Sequence, residues 1–204
     1  MAFGWRKKRY LSAVLLSKFT AQMPHPDGSF GSTFAERPLV VFMLGSKSNH
    51  PLGAFDPVNL KLAKYFSKML QELRETAENL GYLGSSAWTS AEGSAANEVM
   101  SVMYFQDFEP LHKYAHGPLH IQAVKYWSSV VKDYPMCPYI IETYVVPPSQ
   151  WDNIYENSRP PASFPVRTAQ GDGETEWTSP VVNARKGFSP QYGRENTVKL
   201  LERL

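Results

Sequence analysis

The chain has 204 residues, a formal net charge of +2 and one cysteine. This length allows one domain with extensions, and the near-neutral charge argues against a nucleic-acid-binding surface. A lone cysteine excludes disulfide frameworks and cysteine-rich metal sites, and no apolar run approaches the roughly 18 residues that span a bilayer. Aromatic residues make up 13% of the chain, a share that favours a ring-lined interior or large interfaces.

The N-terminal extension, residues 1–38, begins with a basic segment that is followed by a short apolar one. We predict an amphipathic helix within residues 1–20, packed on the domain or lying on a membrane surface. Its apolar stripe consists of Leu11, Val14, Leu15 and Phe19. A secretory signal fits less well, because the apolar part is short and lacks a small-residue cleavage site. Residues 22–38, rich in Pro, Gly and Ser, are predicted to form a loop.

Residues 39–161 form the predicted domain, in which strand and helix patterns alternate. Strands are predicted at residues 39–45, 82–89, 98–105 and 137–146, and helices at residues 57–80 and 107–132. Asp56-Pro57 marks the first helix start, because Asp caps free amide groups and Pro fits the first helical position. Gly117-Pro118 interrupts the second helix. The order β-α-β-β-α-β predicts an α+β, ferredoxin-like fold.

The strand at residues 98–105 carries apolar residues on both faces, since Val99 and Met103 alternate with Met100 and Val102. Helices cover only one face of such a sheet. We therefore predict that a second copy covers the other face, which gives a homodimeric α+β barrel.

The chain beyond the last predicted strand is irregular. Residues 151–161 mix aromatic residues, Asn and Pro, and are predicted to form an ordered lid or a segment that wraps around the domain. The C-terminal extension covers residues 162–204, of which residues 162–190 are polar and are predicted to be largely disordered on their own. Residues 194–204 are the candidate for a last short helix.

Three segments resemble known proteins: FQDFEPLHKYAHGPLHIQAVKYW (105–127), IIETYVVP (140–147) and IYENSRPP (154–161). The first resembles the helix entry of the antibiotic-biosynthesis monooxygenase superfamily of dimeric α+β barrels. The other two resemble an uncharacterised monooxygenase-like family of bacteria and fungi. Members of that family often have His directly before Glu-Thr-Tyr, where this chain has Ile141.

The predicted N-terminal helix leaves two locations open, cytoplasmic or peripheral to a membrane. The resemblance implies a small enzyme of fungal secondary metabolism. It implies a homodimer without cofactor or metal, whose pocket between sheet and helices takes a large apolar polycyclic substrate. Superfamily relatives oxidise electron-rich polycyclic phenols, degrade haem, dehydrate aldoximes on haem or rearrange carbon skeletons, and the fold does not select among these reactions. A cofactor-independent monooxygenase is the favoured hypothesis. A cyclase or pericyclase, a haem enzyme and a non-catalytic binding module are the alternatives.

A histidine cluster and one strand carry the candidate acid–base chemistry. His116, beside the helix break and between His112 and His120, is the preferred base, with a structural role, haem ligation or part of a metal site as alternatives. Glu142 is predicted on a buried sheet face, where it is either paired across an interface or acts as an acid or base of raised pKa. Tyr144 is the candidate hydrogen-bond donor.

The candidate substrate-binding residues are mostly aromatic. They are Trp88, Tyr104, Phe105, His120, Trp127 and Asn157. A flat apolar substrate suits walls of this kind, although core packing explains any single ring equally well. Cys137 is interpreted as structural. Because no GxGxxG, P-loop or GxSxG motif occurs, nucleotide cofactors and a serine nucleophile are not indicated.

Overall fold

A computed structural model describes residues 15–25, 27, 29–30, 35–91, 98–132, 138–159, 166–169, 175–178 and 181–183. The elements in chain order are β1 (Leu15–Ala21), β2 (Leu39–Lys47), a 3-10 turn (Gly53–Phe55), α1 (Pro57–Glu75), α2 (Ala77–Leu80), β3 (Tyr82–Thr89), β4 (Glu98–Phe105), α3 (Phe108–Ala115), α4 (Pro118–Val130), β5 (Tyr139–Val146), β6 (Tyr155–Ser158), β7 (Val166–Ala169), β8 (Thr175–Thr178) and β9 (Val181–Asn183).

The central sheet has four antiparallel strands in the order β3-β4-β2-β5. The register of β2 with β4 and with β5 is continuous, and Val40 in β2 lies opposite Phe105 in β4 and Val145 in β5. The pairing of β3 with β4 has one register shift, between Tyr82 and Gly84. The helices follow β2 and β4, so strand order and connections are those of the ferredoxin-like arrangement. The predicted α+β fold is therefore confirmed.

The helix boundaries follow the capping residues. Asp56 accepts a hydrogen bond from the backbone N–H of Asn59 at 2.8 Å, which satisfies one free amide at the start of α1. The single helix predicted to Leu80 is instead two, because the backbone leaves helical geometry at Thr76. Gly81 ends α2 with φ +57°, a left-handed conformation that favours glycine. The predicted break at Gly117-Pro118 is confirmed, since α4 begins at Pro118.

The main core lies between the helices and the sheet. Tyr82 and Phe105 are almost fully buried, and their rings lie 5.4 Å apart. The other buried members of this core are Val40, Leu73, Ala77, Met103 and Leu111. Their strand positions have one parity, which fixes the helix-facing side of the sheet.

The N-terminal segment forms a strand where the sequence predicts a helix. β1 lies between β6 and β9 in a second antiparallel sheet, and Phe19, Thr20 and Ala21 are buried one after another. Burial of consecutive residues requires neighbours on both faces, which a one-sided amphipathic helix does not have. Residues 1–14 of the predicted helix lie outside the described part of the chain.

The C-terminal extension also differs from its prediction. β7 pairs with β8, and β9 pairs with β1. The expected disorder is therefore wrong for these three segments, because partner strands satisfy their backbone groups. The helix predicted at residues 194–204 lies outside the described residues.

A second apolar cluster joins the terminal sheet to the face of the central sheet that the helices leave open. Its members are Ala21, Met23 and Leu83, with Leu39, Tyr104, Trp151 and Tyr155 packed around them. Asn153 fastens β1 here: it accepts from the Ala21 N–H at 2.7 Å and donates to the Ala21 carbonyl at 3.0 Å. The segment predicted as a lid or a wrap thus packs on the side of the sheet opposite the helices. At this end the chain itself covers the open face.

Candidate functional site

A cavity of about 190 Å³ lies between the sheet and helices α1, α3 and α4. Its lining consists of Phe42, Leu44, Phe66, Met69, Leu70, Leu73, Met103, Phe105, Phe108, Leu111, His112, Tyr114, Ala115, His120, Ile141 and Thr143. Two imidazoles and two hydroxyl groups are the polar side chains of this otherwise apolar wall. No charged carboxylate, lysine or arginine is among the lining residues.

His120 is the polar residue in this wall whose hydrogen bonding is incomplete. It lies in the first turn of α4, where the Gly117-Pro118 break turns the chain towards the cavity. Its Nδ1 atom is buried and has no hydrogen-bond partner within the described residues. Burial lowers the pKa of His120, since it penalises the charged form; a hydrogen bond with the Ala115 backbone raises this pKa by less, and the nearby His116 lowers it further. A neutral imidazole facing an apolar cavity can accept a proton from a bound ligand.

Tyr114 supports the His120 ring from α3. The two rings meet edge-on, with centroids 6.4 Å apart. The Tyr114 hydroxyl donates to the Met69 carbonyl of α1 at 2.9 Å. Burial raises the Tyr114 pKa, and the neighbouring Glu72 raises it further. Tyr114 therefore keeps its proton and fixes the end of α3 against α1.

His116, the preferred base of the sequence analysis, is placed at the C-terminal cap of α3. It is exposed and does not line the cavity. Its Nδ1 lies 2.8 Å from the His112 carbonyl oxygen, and its ring lies 4.5 Å from the His112 ring. His112 itself is exposed but also lines the cavity. The helix break thus directs His120, rather than His116, to the interior.

Glu142 and Tyr144 lie on the other face of the sheet. The Tyr144 hydroxyl donates to Glu142 Oε2 at 2.5 Å, and both residues are exposed. This hydrogen bond and the Glu142 charge raise the pKa of Tyr144. Glu142 is exposed in the single chain, because none of the described elements packs over this face of β5; burial of Glu142 by a second copy stays a prediction. The side chains of β5 that face the cavity are those of Ile141 and Thr143.

The predicted wall residues are also divided between the two faces. Phe105 lines the cavity, whereas Tyr104 belongs to the cluster under the terminal sheet. Trp88 is 62% exposed on the open face. Trp127 meets Tyr139 edge-on at 4.6 Å and is not among the cavity residues. Asn157 is exposed in β6, with φ +48°.

Of the predicted site residues, only Phe105 and His120 come together in the cavity wall. Sequence reasoning missed Tyr114 and Thr143 as cavity residues. The sequence could have indicated Thr143, because it lies on the same face of β5 as Ile141. Tyr114 is six residues before His120, and only the helix break brings the two side chains together.

Metal-binding and membrane-spanning arrangements do not occur in the described part of the chain. Among the described residues, no group of three or more His, Cys, Asp or Glu side chains is placed to hold a metal ion. Within the same residues, no helix has the length and apolar character needed to cross a membrane.

Comparison with known proteins gives matches in sequence and in structure. A family model described as Monooxygenase af470-like matches residues 39–163. Monooxygenase af470 of Aspergillus fumigatus is 30% identical in an alignment 196 residues long, which covers 92% of this chain and 70% of that protein.

The solved structures are more distant. SnoaB of Streptomyces nogalater, a cofactor-independent oxygenase, matches 52% of this chain and 90% of its own, at 8% identity and a TM-score of 0.34. A dabb family protein with a ferredoxin-like fold from Mesorhizobium loti matches 53% of this chain and 96% of its own, at 14% identity and a TM-score of 0.35. At these scores the fold assignment rests on the strand order.

Proposed function

The chain belongs to the monooxygenase af470-like family, and on this premise we propose that it is a cofactor-independent oxygenase of secondary metabolism with His120 as its base. The observation that carries the proposal is the position of His120 in the wall of an otherwise apolar cavity, with a buried Nδ1 that has no partner among the described residues. A buried polar atom without a partner is costly. A ligand hydroxyl or acidic C–H group would supply the hydrogen-bond partner that the described protein groups do not supply.

The proposed reaction uses the substrate as the reductant. His120 takes a proton from an acidic carbon or hydroxyl, which leaves an electron-rich carbanion. The carbanion passes one electron to O₂, and the resulting pair combines to a peroxide. The peroxide loses water, so that a CH₂ group and O₂ become a C=O group and H₂O. The apolar wall keeps water from the carbanion.

The cavity limits how much of a substrate is enclosed. About 190 Å³ is slightly more than the roughly 150 Å³ of an engineered cavity that holds benzene. Ile141 and Thr143 are exposed as well as cavity-lining, so the cavity is open at β5. A flat polycyclic substrate would therefore place one or two rings inside and extend past these residues.

A homodimer remains part of the proposal. Apolar side chains on the open face of the sheet, Trp88, Ile140 and Tyr144, are exposed in the single chain. A second copy packed on this face would cover them. Native mass spectrometry would then give twice 23.1 kDa, and a monomer at micromolar concentration would contradict this part.

Anthrone is a suitable probe for the reaction, because its central CH₂ group becomes the second carbonyl of anthraquinone. We expect oxygen uptake with one ¹⁸O atom in the product and no added cofactor. His120→Ala should reduce the rate by about 100-fold or more, the usual contribution of a positioned base. His116→Ala is the matched control and should retain activity. Turnover under strict anaerobiosis, or equal loss in both variants, would refute the proposal.

A further inference from the structure

The turn between β2 and α1 presents large apolar side chains to solvent. Phe55 is 81% exposed and Leu52 is 58% exposed. Leu60, in the first turn of α1, is exposed beside them in sequence. Single exposed apolar residues are common on protein surfaces, but a contiguous group of large ones marks a contact site.

The turn holds these side chains in a fixed conformation. The Gly53 N–H donates to the His50 carbonyl at 2.8 Å, and the Phe55 N–H donates to the Leu52 carbonyl at 3.1 Å. The Leu52 N–H donates to His50 Nδ1 at 3.1 Å. A contact made through this turn would therefore cost little conformational entropy.

The solvent-facing side of α1 next to the turn is basic. Lys61, Lys64 and Lys68 are exposed or partly exposed, and Glu72 is the first acidic residue of this helix. The preceding acidic residue, Asp56, is 2% exposed and caps the helix. The accessible charge of this region is therefore positive, beside a protruding apolar turn.

This combination fits an anionic lipid surface better than an acidic protein. Lysines near anionic headgroups attract a protein to a bilayer, and aromatic or aliphatic side chains enter the boundary between headgroups and acyl chains. A bilayer accepts a protruding ring without a matching pocket. An acidic protein would need a pocket for Phe55 as well as its carboxylates.

We propose that the Leu52–Phe55 turn and the accessible lysines of α1 dock the protein on an anionic membrane surface. In this position Leu52 and Phe55 enter the headgroup boundary, and the lysines face anionic lipids. The opposite side of α1 contributes Phe66 and Met69 to the cavity wall. An apolar ligand dissolved in the bilayer is thereby concentrated beside the helix that lines the cavity.

Co-sedimentation of the full chain with large unilamellar vesicles tests this docking. Vesicles of phosphatidylcholine alone are compared with vesicles in which about a third of the lipid is phosphatidylserine, at roughly 0.1 M and 0.5 M NaCl. We expect binding to the anionic vesicles at low salt and release at high salt. The double variant Lys64→Glu/Lys68→Glu should bind at least about 25-fold more weakly, since each lysine near an anionic surface strengthens binding by roughly five-fold. Lys61 is left unchanged because it packs over the Tyr126 ring at 4.0 Å.

The double variant Leu52→Ser/Phe55→Ser should weaken binding by about ten-fold or more, with an unchanged melting temperature, because both side chains are exposed. Val124→Ser is the matched control: it removes a 47% exposed apolar residue from α4 and should bind like the wild type. Absence of wild-type binding to anionic vesicles, or equal binding by the Leu52/Phe55 variant, would overturn the proposal. A change in native mass on replacing Leu52 and Phe55 would overturn it as well, since the turn would then be a contact between copies.

Discussion

Replacing His120 with leucine should make the protein more stable and less active. The buried Nδ1 has no hydrogen-bond partner among the described residues, and such an atom costs about 1–3 kcal/mol. Leucine has a similar volume and suits a cavity wall that Leu111 and Phe105 also line. Because part of the His120 side chain remains accessible, we expect the lower end of this range, a gain of about 1 kcal/mol.

Urea unfolding at neutral pH measures this gain. With a slope of about 2 kcal/mol per molar, a gain of about 1 kcal/mol moves the midpoint up by about 0.5 M. Oxygen uptake with anthrone should fall by about 100-fold or more in the same variant.

The matched control is His116→Leu. His116 is exposed and its Nδ1 lies against the His112 carbonyl oxygen, so its loss should leave stability within about 0.5 kcal/mol and activity intact. A His120→Leu midpoint at or below that of the wild type would refute the idea that an unmet hydrogen bond is held open for the substrate.

Three further predictions concern stability. Burial lowers the pKa of His120 in the folded protein, so that as the pH falls the unfolded chain binds a proton at this residue before the folded chain does. His120 protonation therefore leaves the free energy of unfolding unchanged above about pH 6.5 and reduces it as the pH falls towards the folded-state pKa. Urea midpoints from about pH 7.5 to about pH 5 should therefore fall less steeply in His120→Leu than in the wild type, and parallel curves would contradict the shift. Asn153→Ala should cost about 3 kcal/mol because it leaves polar groups of Ala21 unpaired, whereas the exposed Glu156→Ala should cost under about 0.5 kcal/mol; equal midpoints would show that the Asn153 hydrogen bonds contribute nothing. Gly81→Ala should cost about 1 kcal/mol by denaturation, since φ is +57° and a Cβ would lie 3.2 Å from Gln106 Cβ, and an unchanged midpoint would contradict that strain.

The fold of residues 39–146 was predictable because local signals and burial agree there. Asp56 caps α1 and Gly81 ends α2 as their residue types require. The β-α-β-β-α-β order of elements along the chain also predicted the arrangement of the strands in the sheet. The terminal strands were not predictable, because β1 takes its conformation from β6 and β9, which lie far away in sequence. A short, largely apolar segment has no periodicity that separates strand from helix.

The site was only partly predictable, because a choice between neighbouring residues of β5 decides which face of the sheet is selected. Neighbouring strand residues point to opposite faces, so choosing Glu142 and Tyr144 selected the face away from the helices. Ile141 and Thr143, on the other parity, line the cavity. Glu142 and Tyr144 were chosen because their polar side chains suit acid–base chemistry. The cavity wall at β5 instead consists of the apolar Ile141 and the hydroxyl-bearing Thr143. The break between α3 and α4 likewise determines that His120, and not His116, faces the interior. The spacing of the histidines in the sequence does not show which of the two imidazoles this is.

The two faces of the central sheet also restrict how a second copy could bind. The terminal sheet already packs over Leu39, Leu83 and Tyr104, at one end of the open face. A second copy must therefore bind along β5 and at the far end of β3, where Tyr144 and Trp88 are exposed. That position places its surface next to the opening of the cavity at β5. Dimer formation and closure of the cavity would then be coupled, because the strand that the second copy covers is the strand past which a substrate extends.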